Sequence, residues 1–176
     1  MLYIVSAVCA ALFLVADQVS KAYIVANFDL AQTKPFINGF IDFTYVHNMG
    51  GAWGLMSGYT WLLLALTIII MIVCVAMLFK NGFKSKLLFF SVCLILSGGI
   101  GNMADRIFRS GKVVDFIHLH FLPQFPVFNI ADCAVCIGAM LLFVYFLADI
   151  LNDRKKQKEH VGDLNIVSDI QKSEEH

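Results

Sequence analysis

The sequence predicts an all-α membrane protein with four transmembrane helices and a small extracytoplasmic β-sheet or cradle. Of its 176 residues, 59% are hydrophobic and only 15% are charged, with a mean hydropathy of +0.76. An average soluble domain has about 45–50% apolar and about 25% charged residues. The charges are also unevenly placed, because 11 of the 26 lie in residues 151–176. The first 150 residues are therefore too poor in charge for a water-soluble fold.

Four long apolar runs predict the helices. Residues 60–79 contain no charge over 20 positions, which is the length that crosses a hydrocarbon core of about 30 Å. The first run lacks the basic start of a cleaved signal peptide, so we interpret it as a retained helix. The predicted helices lie near residues 3–25, 60–79, 87–105 and 130–150. Residues 1–150 are predicted to form one domain, and the polar tail at 151–176 to be cytoplasmic and disordered.

Two loops have the pattern of β-strands. Residues 35–48 alternate apolar and polar side chains around Asn38-Gly39, which indicates a hairpin. Residues 112–121 are also strand-like before Pro123 and Pro126. Together they predict a small sheet at the membrane surface.

The basic residues near the helix ends predict the orientation. Seven lie on one side: Lys80, Lys84, Lys86, Arg154, Lys155, Lys156 and Lys158. Five lie on the other: Lys21, Lys34, Arg106, Arg109 and Lys112. Because the cytoplasmic side carries the excess, both termini are predicted to be cytoplasmic. The net charge of zero and the lack of a basic cluster exclude a nucleic-acid partner.

Four acidic residues lie where apolar helices or strands meet the extracytoplasmic boundary: Asp17, Asp105, Asp115 and Asp132. Acidic side chains in membrane segments are rare and usually functional, since each costs about 2.5–3.5 kcal/mol at a helix centre. Their convergence at one depth predicts a polar site at that boundary.

Helical spacing places further polar residues beside these acids. The groups that share a helix face are Asp17 with Lys21, Asn102 with Asp105 and Arg106, and Asn129 with Asp132. Two of the acid–base neighbours, Asp17 with Lys21 and Asp105 with Arg106, are equally well explained as structural ion pairs. Asp115 and Asp132 have no basic residue at helical spacing.

Two acids in apolar strings at one depth, without local counter-ions, suggest a carboxylate pair. Like charges at close range share one proton, and such a pair performs acid–base chemistry on water. An aspartate hydrolase and a proton or cation path through the same acids both remain open at this point. A third alternative is a thiol oxidoreductase that uses Cys133 and Cys136, although cysteines in apolar runs usually act as small hydrophobes. The sequence contains no HExxH zinc motif.

Five segments, in this order, are similar to the lipoprotein signal peptidase (signal peptidase II) family. They are DQVSK at 17–21, HNMGGAWG at 47–54, GGIGNMADR at 98–106, VVDFI at 113–117 and FNIADCAV at 128–135. The departures are conservative: Gly51, Trp53, Ser97 and Gly99 stand where the family more often has other small or aromatic residues. None of these departures replaces an acid.

The resemblance implies an aspartic endopeptidase of the bacterial cytoplasmic (inner) membrane that needs no metal or cofactor. It would remove signal peptides from prolipoproteins, cutting before the diacylglyceryl-modified cysteine, with residues 35–48 as a cradle for the substrate. It would act as a monomer within the lipid bilayer and be inhibited by globomycin-type cyclic peptides. Asp115 and Asp132 match the catalytic pair. The residues implied to shape the site and bind substrate are Asn48, Asn102, Arg106 and Asn129, and those implied to support it are Asp17, Lys21 and Asp105.

Overall fold

The computed structural model describes residues 1–51, 56, 58–80 and 85–174. Within them the helices are α1 (Leu2–Asn27), α2 (Thr60–Lys80), α3 (Lys86–Phe108) and α4 (Ile130–Glu174). The strands are β1 (Thr33–Ile37), β2 (Ile41–Asn48) and β3 (Val113–Leu119). Trp53 and Lys84, which were used in the sequence analysis, lie outside the described residues.

All four helices are long and apolar enough to cross a membrane. Their starts agree closely with the predicted ones, so the predicted fold class is confirmed. Half of the apolar stretch of α3 is buried, compared with 11% for α1, 17% for α2 and 11% for α4. The central helix is therefore α3, and the other three present most of their apolar surface outward, as expected for contact with lipid.

Small residues let α3 approach its neighbours closely. Ser97 Oγ donates a hydrogen bond of 2.8 Å to the carbonyl of Ala10 in α1. A side chain at Gly98 would collide with the backbone of Ala131 in α4. Close backbone approach at such positions is the usual way in which transmembrane helices associate. At the other end of α3, Leu88 and Val92 pack in an apolar cluster with residues of α2.

The fourth helix is longer than predicted. It was expected to end near residue 150 and to be followed by a disordered tail, but α4 continues to Glu174. Residues 151–174 contain many Lys, Gln and Glu residues and no proline, so helix propensity opposes an early end. The division into a domain and a separate tail remains a prediction.

The predicted hairpin is confirmed, with the turn at Gly39 in a left-handed conformation (φ 73°). The sheet order is β1-β2-β3, and both neighbouring pairs are antiparallel. Its inner face forms a small apolar core in which Tyr45 and Val114 pack with Ile24 of α1. This core docks β3 on the helices and fixes the position of Asp115.

Candidate active site

A cavity of about 610 Å³ lies between α2, α3, α4 and β3. One end of it is polar, and the rest is lined by apolar side chains such as Ile70, Met71 and Val135. The polar residues that line it include Asn48, Asn102, Arg106, Asp115 and Asp132. The structure therefore brings the two predicted catalytic acids and three of the predicted binding residues into one cavity.

Asp115 is buried, with 1% of its surface exposed. It accepts hydrogen bonds from Asn48 Nδ2 (2.9 Å) and from Asn129 Nδ2. Removal from water raises the pKa of Asp115 to about 7, and the nearby charge of Asp132 acts in the same direction. The two asparagine hydrogen bonds and Lys21 lower this pKa and so oppose part of the shift.

Asn48 is held so that its amide nitrogen points at Asp115. Its Oδ1 accepts a hydrogen bond of 2.9 Å from the Gly50 N–H, and its Nδ2 also donates to the Gly51 carbonyl at 3.1 Å. Because the oxygen is already occupied by a backbone donor, the amide cannot turn without losing that bond. The backbone after β2 thus sets the orientation of a side chain that contacts Asp115.

Asp132 lies in the first turn of α4 and forms a reciprocal capping box with Asn129. The Asp132 N–H donates to Asn129 Oδ1 at 2.9 Å, and the Asn129 N–H donates to Asp132 Oδ2 at 3.1 Å. The two residues are adjacent, as their i, i+3 spacing predicts, although Asn129 lies just before the first residue of α4. Asn129 precedes the helix as its N-cap, because its side chain replaces a backbone acceptor that the first turn lacks.

Two amides connect the acids. Asn102 Nδ2 donates to Asp132 Oδ1 at 2.8 Å. Asn129 Nδ2 donates to Asp115 and, at 3.0 Å, to Asn102 Oδ1. Asp115 and Asp132 consequently belong to one hydrogen-bonded network, and each carboxylate accepts two hydrogen bonds out of about four that it can accept.

Arg106 lines the cavity but does not pair with Asp105. Asp105 instead contacts Lys21 and, at 3.1 Å, Arg109. The predicted Asp105–Arg106 pair is wrong because adjacent helical residues point in different directions, whereas Arg109 lies one turn away on the same face. Within the described part of the chain, Arg106 Nε is buried without a hydrogen-bond partner.

The predicted Asp17–Lys21 ion pair is present, with a Nζ–Oδ2 distance of 2.9 Å. Both residues and Asp105 are buried behind the cavity rather than in its lining. Cys133 and Cys136 line the cavity and are free thiols. Within the described ranges, no three His, Cys, Asp or Glu residues are grouped so that they could hold a metal ion.

Sequence alone does not indicate the part of the wall that α2 contributes, which includes Thr67, Ile70 and Met71. All three lie in an uncharged and mostly apolar run, and neither spacing nor charge distinguishes them from residues that face lipid. Phe125 and Phe128, which follow β3, also line the cavity. In the sequence, Pro123 and Pro126 indicate only that the strand ends before this segment, and they do not indicate a cavity wall.

Comparisons with known proteins agree with this geometry. Residues 9–148 match the family described as Signal peptidase (SPase) II. A lipoprotein signal peptidase from Bacillus pumilus (strain SAFR-032) is 42% identical over 144 residues, which are 81% of this chain and 90% of that protein. Two solved structures, both described as bacterial membrane enzymes, are 33% identical in sequence to this chain. The first has a TM-score of 0.77, and the match covers 84% of this chain and 90% of the solved chain. The second has a TM-score of 0.74, and the match covers 82% of this chain and 94% of the solved chain. The chain belongs to the signal peptidase II family of membrane peptidases.

Proposed function

We propose that this peptidase removes signal peptides from prolipoproteins with a water molecule activated by Asp115 and Asp132. The observation that carries the proposal is the pair of buried carboxylates in one cavity, joined through Asn102 and Asn129. Aspartates in such a pair share a proton, because two adjacent negative charges cannot both be retained in a dry site. Family membership and the lipoprotein signal peptidase relative support the substrate class.

The shared proton provides both halves of the acid–base chemistry. The ionised carboxylate accepts a proton from water as the water oxygen attacks the scissile carbonyl carbon. The protonated carboxyl donates to the carbonyl oxygen and so stabilises the tetrahedral intermediate. The carboxyl that took the water proton then protonates the leaving nitrogen. As the C–N bond breaks, the other carboxylate takes a proton from a hydroxyl of the tetrahedral intermediate, so the pair again holds a single proton. The reaction needs no metal or organic cofactor.

Arg106 and Asn48 are proposed to hold the substrate backbone. Among the residues that the structure describes, the buried Arg106 Nε has no acceptor, and such a group costs about 1–3 kcal/mol until it is satisfied. A peptide carbonyl in the cavity would supply that acceptor. Asn48 lines the cavity beside Asp115 and has its orientation fixed, so it is suited to contact the same peptide.

The apolar part of the cavity is proposed to receive the diacylglyceryl chains of the substrate. Its walls come from α2, α3 and α4, and both α2 and α4 also present most of their apolar surface outward. Binding of the lipid there would place the bond before the modified cysteine at the acids, and such positioning contributes strongly to rate. The sheet would hold the adjoining peptide at the membrane surface, and a globomycin-type cyclic peptide would occupy the same cavity.

We propose that the protein is a monomer of the bacterial cytoplasmic (inner) membrane, with both termini in the cytoplasm. Lys21 is fully buried and Arg109 is paired with Asp105. These two basic residues at the sheet end are therefore not free loop charges, which increases the charge difference that favours this orientation. The sheet and the acids would then lie at the extracytoplasmic face.

The test is cleavage of matched precursors by the purified protein in lipid. We expect cleavage of a diacylglyceryl-modified prolipoprotein before its modified cysteine, measured by intact mass, and little cleavage of the unlipidated precursor. Globomycin should inhibit the reaction, and a Cys133→Ala/Cys136→Ala variant should retain it. Equal cleavage of both precursors, or loss of activity only in the cysteine variant, would contradict the proposal.

The pH dependence follows from the pKa of Asp115. This pKa is raised to about 7, so the pair keeps its shared proton below that pH and loses it above. We expect kcat to fall about tenfold per pH unit on the alkaline side, since the protonated acid disappears in that proportion. The rate should also fall at low pH, when the pair gains a second proton. A kcat that stays constant from about pH 6 to about pH 9, with the protein folded throughout, would exclude a shared proton of this kind.

A further inference from the structure

Lys21 is the centre of a buried polar cluster behind the cavity. Its side chain is fully buried. Its Nζ contacts Asp17 Oδ2 at 2.9 Å, Asp105 Oδ2 at 3.2 Å and Asn102 Oδ1 at 3.0 Å. An ammonium group has three protons to donate, so these contacts use all of them. They join α1 to α3 at the sheet end of the bundle.

Each carboxylate of this cluster also holds a backbone N–H next to one catalytic acid. Asp17 Oδ1 accepts from the Ala131 N–H at 2.8 Å, immediately before Asp132. Asp105 Oδ2 accepts from the Val114 N–H at 3.0 Å, immediately before Asp115. One carboxylate therefore fixes the start of α4, and the other fixes the start of β3.

Lys21 also determines which way the Asn102 amide faces. A lysine can only donate, so the atom of Asn102 that it contacts must be the oxygen. Asn129 Nδ2 donates to the same oxygen at 3.0 Å. The nitrogen of Asn102 is consequently left to donate to Asp132. With the amide reversed, its oxygen would face the carboxylate oxygen of Asp132.

We propose that Lys21 is a positioning residue that sets the distance and relative orientation of Asp115 and Asp132. It does so by holding together the two carboxylates that fix the backbone beside each acid, and by orienting the amide that contacts Asp132. Lys21 does not line the cavity, so it acts through these groups and touches neither water nor substrate. This inference rests on the proposed roles of Asp115 and Asp132.

A purely structural role, in which Lys21 only balances buried negative charge, makes a different prediction. The cluster of Asp17, Lys21, Asp105 and Arg109 contains two negative and two positive groups. The double variant Lys21→Met/Asp17→Asn keeps it neutral, and the asparagine oxygen can still accept from the Ala131 N–H. If charge balance were the only role, this variant would behave like the wild type once folded.

We expect the double variant to be folded but to lose about 100-fold in kcat, the size of effect that a displacement of about 1 Å produces at an active site. Its KM should change much less. The alkaline limb of its pH profile should move to higher pH, because Lys21 lowers the pKa of Asp115 and the variant lacks that charge. Lys156→Met, at an exposed position in the polar part of α4, is the matched control and should resemble the wild type.

Wild-type kcat and an unchanged pH profile in the folded double variant would overturn the proposal. If that variant does not fold, Asp17→Asn alone decides. It replaces the Lys21–Asp17 ion pair by a weaker contact and keeps an acceptor for the Ala131 N–H. It should lower kcat about tenfold, and an unchanged kcat would overturn the proposal. Asp115→Asn in the same assay distinguishes a failure of the Lys21 proposal from a failure of the proposed function. If Asp115→Asn is inactive and the double variant behaves like the wild type, only the proposed role of Lys21 is wrong. If Asp115→Asn is active, the proposed function is wrong.

Discussion

Replacement of Asp132 by Asn, or of Asp115 by Asn, is expected to abolish prolipoprotein cleavage and leave the protein folded. An amide cannot accept and return a proton at neutral pH, so the pair loses its acid–base function. We expect kcat to fall by about 1,000-fold or more, toward the upper end of what a positioned acid or base contributes. The asparagine oxygen can still accept one hydrogen bond, from Asn102 in the first case and from Asn129 in the second, which preserves much of the network.

The measurement is single-turnover cleavage of the lipidated precursor, with thermal unfolding of each variant in the same detergent. Asp149→Asn is the matched control, because Asp149 is an exposed acid on the same helix as Asp132. It should cleave at the wild-type rate. Cleavage by a folded Asp132→Asn variant at a rate close to that of the wild type would show that the attacking water is activated elsewhere.

Replacement of Asn129 by Ala is expected to reduce both stability and rate. Loss of the N-cap of α4 costs about 1–2 kcal/mol. Loss of the amide also removes a donor to Asp115 and the connection between that acid and Asn102. Since both acids then lose a fixed neighbour, we expect kcat to fall about 100-fold as their alignment relaxes.

A serine at the same position separates these two effects. Serine is a good N-cap, but it is too short to replace the amide that reaches Asp115. We expect Asn129→Ser to regain most of the unfolding free energy that Asn129→Ala loses, while its kcat stays low. The two quantities to compare are the thermal midpoint and kcat of each variant. Recovery of both in the serine variant would mean that Asn129 acts only as a helix cap.

Much of the fold was predictable because the membrane imposes strong rules on composition. Uncharged runs of about 20 residues can hardly be anything but spanning helices, and α2 shows this most clearly. The Asn38-Gly39 dipeptide between alternating residues was sufficient for the hairpin. The pairing of β2 with β3 was not predictable from local pattern, since it joins segments that α2 and α3 separate.

The acids of the candidate site were predictable because charges are so rare in the first 150 residues. Their partners were harder to predict. Spacing along a helix identified the Asp17–Lys21 pair, but no spacing rule indicates that Lys21 also contacts Asp105 and Asn102 on another helix. The pairing of Asp105 with Arg109 instead of Arg106 likewise depends on which face of α3 is buried. Such contacts are set by helix packing, and a single sequence carries little information about it.

The antiparallel pairing of β2 and β3 makes assembly of the candidate site dependent on correct membrane insertion. Between these strands the chain crosses the bilayer along α2 and returns along α3. If either helix failed to insert, β3 would emerge on the opposite face of the membrane from β2. Asn48 and Asp115, which now lie 2.9 Å apart at their side-chain atoms, would then be separated by the whole bilayer. A misinserted chain would therefore be unable to assemble the candidate site that contains Asn48 and Asp115.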